Sequence, residues 1–593
     1  MEISENIGLK GLYSDLPQDM APDGALIAGS KNFRIISGTI FAKPGYELIQ
    51  ASTLIGTPQL VHEHEDIQGT KSLLVMTTSD IYVWDDSNAE FDFLTPRYNT
   101  GTATCAGSTK DVEGSGTNWD PEIDDGDWIK FDTNDIDGTG TPDTWYEIDS
   151  VTDDTNLVLV LNGPDTGGAV NYVVRKIYGG STVNRWEAAN YYDSSADENL
   201  LIATNGADVV QKWDPDNTYM EDLGGTPPQA RHVAVVAGLL VLGNITVVSG
   251  TGTDLPYTVI YSPPADAEAW DGGATDDANY QELYRTTGAV NFMAPFADYL
   301  LIGKEDCLIM AKGTGDVTAP LDFDYVVMSG GSISPAYCMT PRGILYLGAS
   351  DIFVYTGTGQ PTSIAYGKIK ETLFDNFNFS KKHVVTSEFS PRYNEWRLSV
   401  PSRDADLPDI TYIYRIVENE WCYDDVGFNA LGSYNYKTIT TINSLSANIN
   451  TYTNAINEWS ATGAFNEIIM VDSSGYVYIE RPTLKQNNGV NVSCVAKLAG
   501  FPGGNIDDYS RFIRTYIHYT GTNDASDIVS VQISVDGGIT FATVQQINNA
   551  MAEVRQRARL SWNHAGRTCI VQMSGRHMEV HGVQYVFQTQ NDR

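Results

Sequence analysis

The sequence predicts an all-β protein: a β-propeller with an inserted small β-barrel or sandwich and a C-terminal β-sandwich. One strand–turn–strand pattern recurs along most of the chain, a stretch of short strands interrupts it, and the final segment alternates without repeating it. We therefore divide the chain into four segments. Residues 1–99 hold an N-terminal arm, a hairpin and the first blade, 100–178 the insert, 179–488 the rest of the propeller, and 489–593 the sandwich.

The N-terminal arm ends in a predicted β-hairpin. The segment NFRIISGTIFAKPGYELIQ, residues 32–50, contains two apolar runs joined at Ser37-Gly38, and Gly38 supplies the positive φ of a tight turn. Its apolar residues alternate with a period of two, which is typical of a half-buried strand pair. Before it, Pro22 and Gly29 indicate the start and the end of about two helical turns.

Each repeat of the propeller pattern has an apolar strand, a turn rich in Gly, Asp or Ser, and a second strand that ends in aromatic residues. Such a sheet cannot bury both faces alone, so radial packing of several sheets supplies the core. Two successive repeats start 44 residues apart, within the roughly 40–50 residues of a propeller blade. Later spacings are longer, which leaves the blade number open. The repeats lie at residues 72–85, 199–214, 299–310, 343–357, 395–425 and 467–480, with a longer unit at 232–264.

The charge balance is strongly acidic. Lys and Arg number 37 against 76 Asp and Glu, which gives a net charge of −39 and a pI near 4.3. This balance favours solubility and argues against an extensive surface that grips phosphates, which needs clustered Lys and Arg. No basic run is longer than SKKH at 380–383.

The six cysteines are far apart and mostly inside apolar runs, so we predict buried free thiols and a reducing site of synthesis. The chain opens on a polar segment without a basic start, and no window approaches the roughly 18 apolar residues of a membrane span. We therefore expect neither export by the usual route nor membrane insertion.

Two motifs suggest metal binding. HEHED at 62–66 places His62 and His64 on one strand face, as two imidazole ligands require, but no third ligand follows, and a solvated strand face is favoured. TNDIDGTGTPDT at 133–144 resembles a calcium loop. Threonines stand where the first Asp and the bidentate Glu belong, so an acidic turn is favoured.

SVDGGITF, residues 534–541, matches the Asp-box pattern of sialidase-like propellers, with Phe541 in place of Trp. A stabilised turn in the sandwich is the favoured interpretation. No nucleophile elbow, phosphate-binding glycine loop or paired carboxylates framed by aromatics has usable spacing. We therefore predict no catalytic, cofactor-binding or metal-binding residues and no enzymatic activity, although a glycosidase-like carboxylate pair drawn from different blades stays open.

Four segments resemble, in order, the tail nozzle proteins of short-tailed bacteriophages, the group that includes packaged-DNA stabilisation proteins and tail tubular protein B. The first is PDGALIAGSKNFRIISGTIFAKPGYELI, in which Lys43 replaces the Arg of the family's Arg-Pro-Gly. The third segment is GSISPAYCMTPRGILYLGASDIFVYTG. The fourth consists of RYNEWRLSVP together with YIYRIVENEWCYDD. The resemblance covers most of residues 20–425, and the insert is not a constant feature of that family. The second segment is carried by Pro228, Ala230, Arg231, Gly243, Asn244, Ser262 and Trp270.

The resemblance implies a hexameric ring below the portal and adaptor, in the virion tail, after synthesis in the host cytoplasm. The implied partners are further copies of the chain, the adaptor or head–tail connector, tail fibre, spike or needle proteins, and duplex DNA that passes through the lumen without tight binding. In such a ring the arm and hairpin would close the first propeller sheet or bridge to a neighbouring subunit. An acidic lumen would repel phosphate, and the few basic residues would gather at subunit or adaptor contacts.

Two other functions stay open. A tail-associated propeller that binds or degrades glycans would show a pocket with converging aromatics and two carboxylates at catalytic separation. A cytosolic propeller scaffold would stay monomeric and lack a ring-forming surface.

Overall fold

A computed structural model describes residues 2–4, 7–131, 145–247, 254–270, 279–316, 319–435, 466–482, 484–503, 509–522, 527–548 and 554–590. The chain divides into two compact units. Unit 1 comprises residues 1–54, 284–314 and 321–593, and unit 2 comprises residues 55–283 and 315–320.

The described residues of the first half of the chain form 23 strands and one short helix. The N-terminal arm contains β1 (Glu2–Ile3), β2 (Phe33–Ile36), β3 (Thr39–Ala42) and β4 (Gly45–Leu48). The first blade contains β5 (Pro58–Glu65), β6 (Lys71–Thr77), β7 (Ile81–Asp85) and β8 (Glu90–Phe93). The insert contains β9 (Arg97–Tyr98), β10 (Thr102–Cys105), β11 (Asp111–Ser115), α1 (Trp119–Glu122), β12 (Trp128–Phe131), β13 (Tyr146–Asp153), β14 (Asn156–Leu159) and β15 (Tyr172–Arg175). Two further blades contain β16 (Glu187–Asp193), β17 (Glu198–Thr204), β18 (Gln211–Trp213), β19 (Glu221–Asp222), β20 (Gln229–Val236), β21 (Leu239–Val247), β22 (Leu255–Tyr261) and β23 (Asn279–Glu282).

The second half is also built mainly of strands. Three blades contain β24 (Val290–Phe296), β25 (Tyr299–Lys304), β26 (Leu308–Gly313), β27 (Leu321–Val327), β28 (Ser332–Thr340), β29 (Gly343–Gly348), β30 (Ile352–Tyr355), β31 (Thr362–Ser363), α2 (Lys370–Asn376), a 3-10 helix (Phe379–Val384), β32 (Thr386–Ser390), β33 (Glu395–Val400), β34 (Ile410–Arg415) and β35 (Glu420–Asp424). The remaining strands are β36 (Ala430–Tyr434), β37 (Glu467–Val471), β38 (Val477–Arg481), β39 (Gln486–Asn487), β40 (Val490–Asn491), β41 (Cys494–Lys497), β42 (Tyr509–Thr520), β43 (Ile528–Ser534), β44 (Gln545–Asn548), β45 (Arg555–Gly566), β46 (Ile570–Gly575) and β47 (Glu579–Gln590).

Seven sheets with the antiparallel blade pattern recur among the described residues, which answers the open question of blade number. Six are built from consecutive strands, namely β5–β8, β16–β19, β20–β23, β24–β27, β28–β31 and β32–β35. The seventh contains β36, β37 and β38, and its fourth strand is β4 from the N-terminal arm. The predicted all-β fold class, a propeller with an insert and a C-terminal sandwich, is confirmed.

In unit 2, apolar side chains fill the space between neighbouring blades. Leu74, Met76 and Trp186 belong to one core cluster, and Ile202, Val233 and Leu242 belong to the next. The insert has its own core, in which the Trp119 indole N–H donates to the Tyr172 hydroxyl at 2.8 Å. Its strands form one sheet in the order β10-β11-β14-β13-β12-β15-β9.

In unit 1, the C-terminal sandwich packs two sheets face to face. One has the order β2-β3-β47-β42-β45, with β1 also paired to β47, and the other has the order β41-β46-β43-β44. Phe512, Ile517, Val531, Met573 and Tyr585 are buried between them. Alternation at period two places these residues on the inner faces.

The predicted hairpin is present, but its partners differ from those expected. Ser37 and Gly38 have positive φ values of 49° and 75°, which fits a type I′ turn. The hairpin pairs with β47, where Ile40 lies opposite Val580. The hairpin therefore extends a sheet of the C-terminal sandwich. It neither closes the first blade nor is left free for a neighbouring subunit. Strand β4, which follows the hairpin, completes the last blade.

Residues 22–29 form turns, not the predicted helix. Gly24 and Gly29 have positive φ values of 79° and 93°, which interrupt a right-handed helix. Leu26 is bridged to Leu498, so its backbone groups are used in tertiary pairing. Long-range pairing has overridden the local preference that Pro22 indicated.

A buried network of charges attaches the hairpin to unit 1. The Arg34 guanidinium donates to both carboxylate oxygens of Asp424, at 2.9 and 3.0 Å, and to Glu395 at 3.2 Å. Arg415 and Arg397 also donate to Glu395. Burial opposes the ionisation of Asp424, but Arg34 and Lys43 outweigh it and lower the pKa of Asp424 to about 2.

We predict that Arg34→Met lowers the free energy of unfolding by about 3–5 kcal/mol, because it removes both hydrogen bonds from the guanidinium to the buried Asp424 carboxylate, whose remaining cation, Lys43, lies 3.6 Å away. In the wild type, the contribution of Asp424 to the free energy of unfolding is present above about pH 4 and is lost as the pH falls towards 2. This pH dependence of stability should be smaller in the variant. Urea unfolding at several pH values measures both effects. Arg481→Met, which breaks the half-exposed pair with Glu47 at 2.7 Å, should cost no more than about 1 kcal/mol. Equal losses in the two variants would contradict the role given to Arg34.

Candidate functional site

A cleft of about 470 Å³ opens between the insert and the blade β16–β19, both in unit 2. Its walls combine carboxylates, two tyrosines, a lysine and an arginine. The polar and charged lining residues are Arg97, Tyr98, Glu122, Asp124, Asp127, Lys176, Asn217, Thr218, Tyr219, Glu221 and Asp222.

The insert side of the cleft is held by a buried ionic contact. Strands β9 and β15, where the chain enters and leaves the insert, pair antiparallel, with Arg97 opposite Arg175. Both guanidinium groups approach the fully buried Asp80 of the first blade, at 3.7 and 3.3 Å. Arg97 also lies 3.5 Å from the centre of the Phe93 ring. The root of the insert is therefore fixed to the blade.

Asp127 is the carboxyl group whose chemistry differs most from that of an ordinary surface acid in this cleft. It is 8 % exposed, and one of its oxygens accepts the backbone N–H of Asp124 at 3.1 Å. Burial raises the pKa of Asp127 to about 6, against a smaller opposing effect of Lys176. The group therefore retains a proton at a pH where exposed aspartates are ionised.

An ion pair joins the insert side of the cleft to the blade. The Lys176 ammonium lies 2.7 Å from Asp222, and the Gln211 amide donates to the same carboxylate oxygen at 2.5 Å. The Tyr178 hydroxyl in turn donates to Gln211 at 3.1 Å. This chain of bonds orients Asp222 in the wall.

These groups can bind a polar, hydroxyl-rich ligand. Tyrosine rings offer apolar faces, while carboxylates and a lysine accept and donate hydrogen bonds. A buried carboxyl group whose pKa is raised to about 6 is also the kind of group that acts as a general acid. Perturbed carboxyl groups in a cleft mark functional-site candidates.

The histidines of HEHED do not lie on a solvated strand face. The ring nitrogens of His62 and His64 lie 3.0 and 2.9 Å from the side-chain oxygen of Asn190, on the next blade of unit 2. His64 is fully buried and packs edge-on against Trp213. Burial lowers the pKa of both histidines. The pair joins two blades, and the solvated-face prediction is wrong because β5 is covered by its neighbour.

The remaining motifs have structural roles or lie outside the described residues. In SVDGGITF, Asp536 accepts the backbone N–H of Thr540 at 2.9 Å and the hydroxyl of Ser534 at 2.7 Å, as expected of a stabilised turn. The calcium-like segment 133–144 is not described. Within the described ranges, no group of three or more His, Cys, Asp or Glu could hold a metal ion. All six cysteines are buried and free, as predicted.

No helix in the described part of the chain is long and apolar enough to cross a membrane.

The cleft was not predictable from the sequence. Its strongest local signal is DDGDW at 124–128, which reads as one more acidic turn among many. What distinguishes Asp127 is its burial, and that depends on how the insert meets the blade.

We predict that Asp127→Asn raises the free energy of unfolding at pH 7 by about 1–3 kcal/mol. The unfolded chain ionises this group near pH 4 and the folded chain near 6, so wild-type stability falls between these values and stays low above them. The amide removes that cost and should leave stability near pH 4 almost unchanged. Thermal or urea unfolding from pH 4 to 7 measures the effect, with the exposed Asp154→Asn as control. A variant that is less stable at pH 7 and keeps the wild-type pH dependence would contradict the assignment.

No protein-family model and no curated protein matches this chain. Among solved structures, it is similar to two crystal structures of an exo-beta-1,3-galactanase from Phanerochaete chrysosporium, both with beta-1,3-galactotriose. Each is 8 % identical and covers 83 % of this chain and 100 % of its own, at TM-scores of 0.20 and 0.21.

The galactanase comparison contradicts the prediction that the chain is not an enzyme, and that prediction is withdrawn. TM-scores near 0.2 carry no information on a reaction, a substrate or the role of any residue in this chain. The proposals below therefore rest on the residues of the chain itself.

Proposed function

We propose that this chain is a tail nozzle subunit of a short-tailed bacteriophage, which retains packaged DNA and conducts it during ejection. The observation that carries the proposal is the locking of the N-terminal arm in unit 1. Strands β1 and β3 both pair with β47, and β4 completes the blade of β36–β38. A subunit that resists the pressure of packaged DNA requires strands that stay paired under load. The pairing of the arm strands with β47 and β38 provides such strands.

The residues that carry the resemblance to nozzle proteins also have identifiable structural roles. Asn244 has a positive φ of 56° beside an irregularity in the pairing of β21. The Ser262 hydroxyl accepts from the backbone of Leu240 and donates to the Pro263 carbonyl. A Cβ atom at Gly45 would lie 2.2 Å from the Gln486 carbonyl oxygen. These positions serve strand pairing and turns, so a family that shares the fold would share them.

The acidic charge of the chain supports the proposed role as a conduit for DNA. The chain has a net charge of −39, and its buried cations Arg34, Arg397 and Arg415 are satisfied by carboxylates of the same chain. A wall that repels phosphate lets DNA slide, whereas each phosphate contact would add a salt-sensitive gain in affinity. The adaptor above the ring, fibre, spike or needle proteins around it, and further copies of this chain are the proposed partners.

We expect electron microscopy of the particle to show six copies in the tail around an axial channel. A single copy per particle, or absence from the particle, would contradict the proposal. The purified chain should show no duplex-DNA binding at roughly 0.15 M salt, because DNA that must be released during ejection is bound weakly. Tight DNA binding that weakens steeply with salt would contradict the conduit even if the ring were found.

The cleft supports a second candidate, a glycan-binding or glycan-degrading site. The supporting observation is that Asp127, a buried carboxyl group whose pKa is raised to about 6, lines the same cleft as the Lys176–Asp222 ion pair, Tyr98 and Tyr219. In a hydrolytic reaction the protonated form of Asp127 would donate its proton to the oxygen of the leaving group. The Asp222 carboxylate would take a proton from the water molecule that attacks the anomeric carbon from the opposite side.

Incubation with surface polysaccharide of the bacterial host should release reducing ends if this second candidate is right. Asp127→Asn and Asp222→Asn should each reduce the rate by about 100-fold or more, while Asp154→Asn should not. Because Asp127→Asn is expected to be more stable, loss of rate in that variant cannot be attributed to unfolding. Absence of both turnover and glycan binding would eliminate this candidate and leave the nozzle proposal intact.

A further inference from the structure

A basic face lies on the C-terminal sandwich of this acidic chain. Five arginines project from the outer side of the neighbouring strands β42 and β45, and we refer to them as the basic face. They are Arg511, Arg514, Arg555, Arg557 and Arg559. The two strands contain no Asp or Glu.

Alternation along the strands fixes this orientation. Leu560 and Trp562 of β45 point into the core of the sandwich, so Arg557 and Arg559 point away from it. Tyr516 lies opposite Arg559 in the register, and the Arg557 guanidinium lies 4.4 Å from the centre of the Tyr516 ring. The face is therefore an ordered array and not a set of separate side chains.

These arginines have no acidic partner within the described residues. Arg511 donates to the neutral amide oxygen of Asn563, at 2.8 and 2.5 Å. Elsewhere in the chain, by contrast, arginines such as Arg34 and Arg397 are paired with carboxylates. The sequence contains no contiguous basic run at this face, because its arginines alternate with other residues and come from two strands.

Protection of a sheet edge explains only part of the array. Strand β45 is the edge of its sheet, and charges on an edge discourage pairing with other chains. Strand β42 lies between β45 and β47, however, so Arg511 and Arg514 have no edge to protect. A surface of this charge and extent requires another explanation.

The insert presents an acidic face on β11 and β13, which lie on either side of β14 in its sheet. Asp111 and Glu113 of β11 and Glu147 and Asp149 of β13 are exposed on the outer side of its sheet, while Val112 and Ile148 between them are buried. We refer to these four carboxylates as the acidic face. None of them has an ion-pair partner among the described residues.

We propose that the basic face of one copy of this chain binds the acidic face of the insert of a second copy. Residues two apart on a strand are separated by about 7 Å, so alternate arginines and alternate carboxylates repeat at the same interval. With a net charge of −39, two copies repel each other except where surfaces of opposite sign meet within the Debye length, about 8 Å at physiological salt. The contact joins different surfaces of the two copies. Repeating such a contact builds a ring when the rotation that relates successive copies brings the last copy back to the first.

This inference deepens the ring assembly of the proposed function, and its test requires only the purified chain. Sedimentation of the full-length chain at about 10 µM should give a weight-average mass above the 64.9 kDa of one copy in roughly 0.05 M salt. The mass should fall towards that of one copy at about 0.5 M salt. A chain that stays at 64.9 kDa under all these conditions overturns the inference, whether or not the chain is found in a virion.

Charge reversal locates the contact. Arg557→Glu with Arg559→Glu should weaken self-association at least tenfold, and so should Asp111→Arg with Glu113→Arg. The chain that carries all four changes should regain association, because each face then meets its complement again. Arg285→Glu with Lys312→Glu alters the charge equally at other exposed sites and should have no such effect.

Near-UV circular dichroism confirms that each variant is folded, and Arg557→Ala with Arg559→Ala provides a milder test if the reversal does not fold. Unchanged association in the folded basic-face variant overturns the inference, as does failure of the fourfold variant to recover. Duplex-DNA binding that the basic-face variant abolishes, without change in self-association, would identify the face as a nucleic-acid surface and overturn it too.

Discussion

The contact between Arg34 and Asp424 holds the N-terminal arm in unit 1, and much of that unit depends on it. Both groups are buried, so each requires the other to offset the loss of water. Without Asp424 the Arg34 guanidinium of the hairpin β2–β3 would keep only its contact with Glu395, at 3.2 Å. The same arm also supplies β3, which pairs with β47, and β4, which pairs with β38 of the last blade. One ion pair thus links the start of the chain to two separate sheets.

The blade repeats and the hairpin turn were predictable because their signals are local. Period-two alternation marks the strands, and Gly38 marks the turn. The partners of the arm were not predictable, since β4 pairs with β38, more than 400 residues away, and nothing local identifies that strand. For the same reason the predicted helix at 22–29 is absent, because pairing of Leu26 with a distant strand competes with local preference.

The candidate sites were less predictable than the fold because they depend on burial and on which strands become neighbours. Asp127 is one aspartate among many until the insert covers it. Arg514 becomes part of a cluster only when β42 lies beside β45. The net charge of −39 describes the whole chain and does not reveal either of these two local sites. At the first, burial raises the pKa of the Asp127 carboxyl group, and at the second, five arginines lie together on two strands that contain no Asp or Glu.

The arrangement of β4 has a consequence for biosynthesis. The strand leaves the ribosome early, but β38 is synthesised only after more than 400 further residues. At roughly 5–20 residues per second, the arm waits for tens of seconds without its sheet partner. Unit 1 can therefore complete its fold only after β38 and β47 have been synthesised, and chains that end before β38 expose the apolar strands of the arm. The pairing of β4 thus distinguishes chains that contain β38 from shorter ones before any assembly begins.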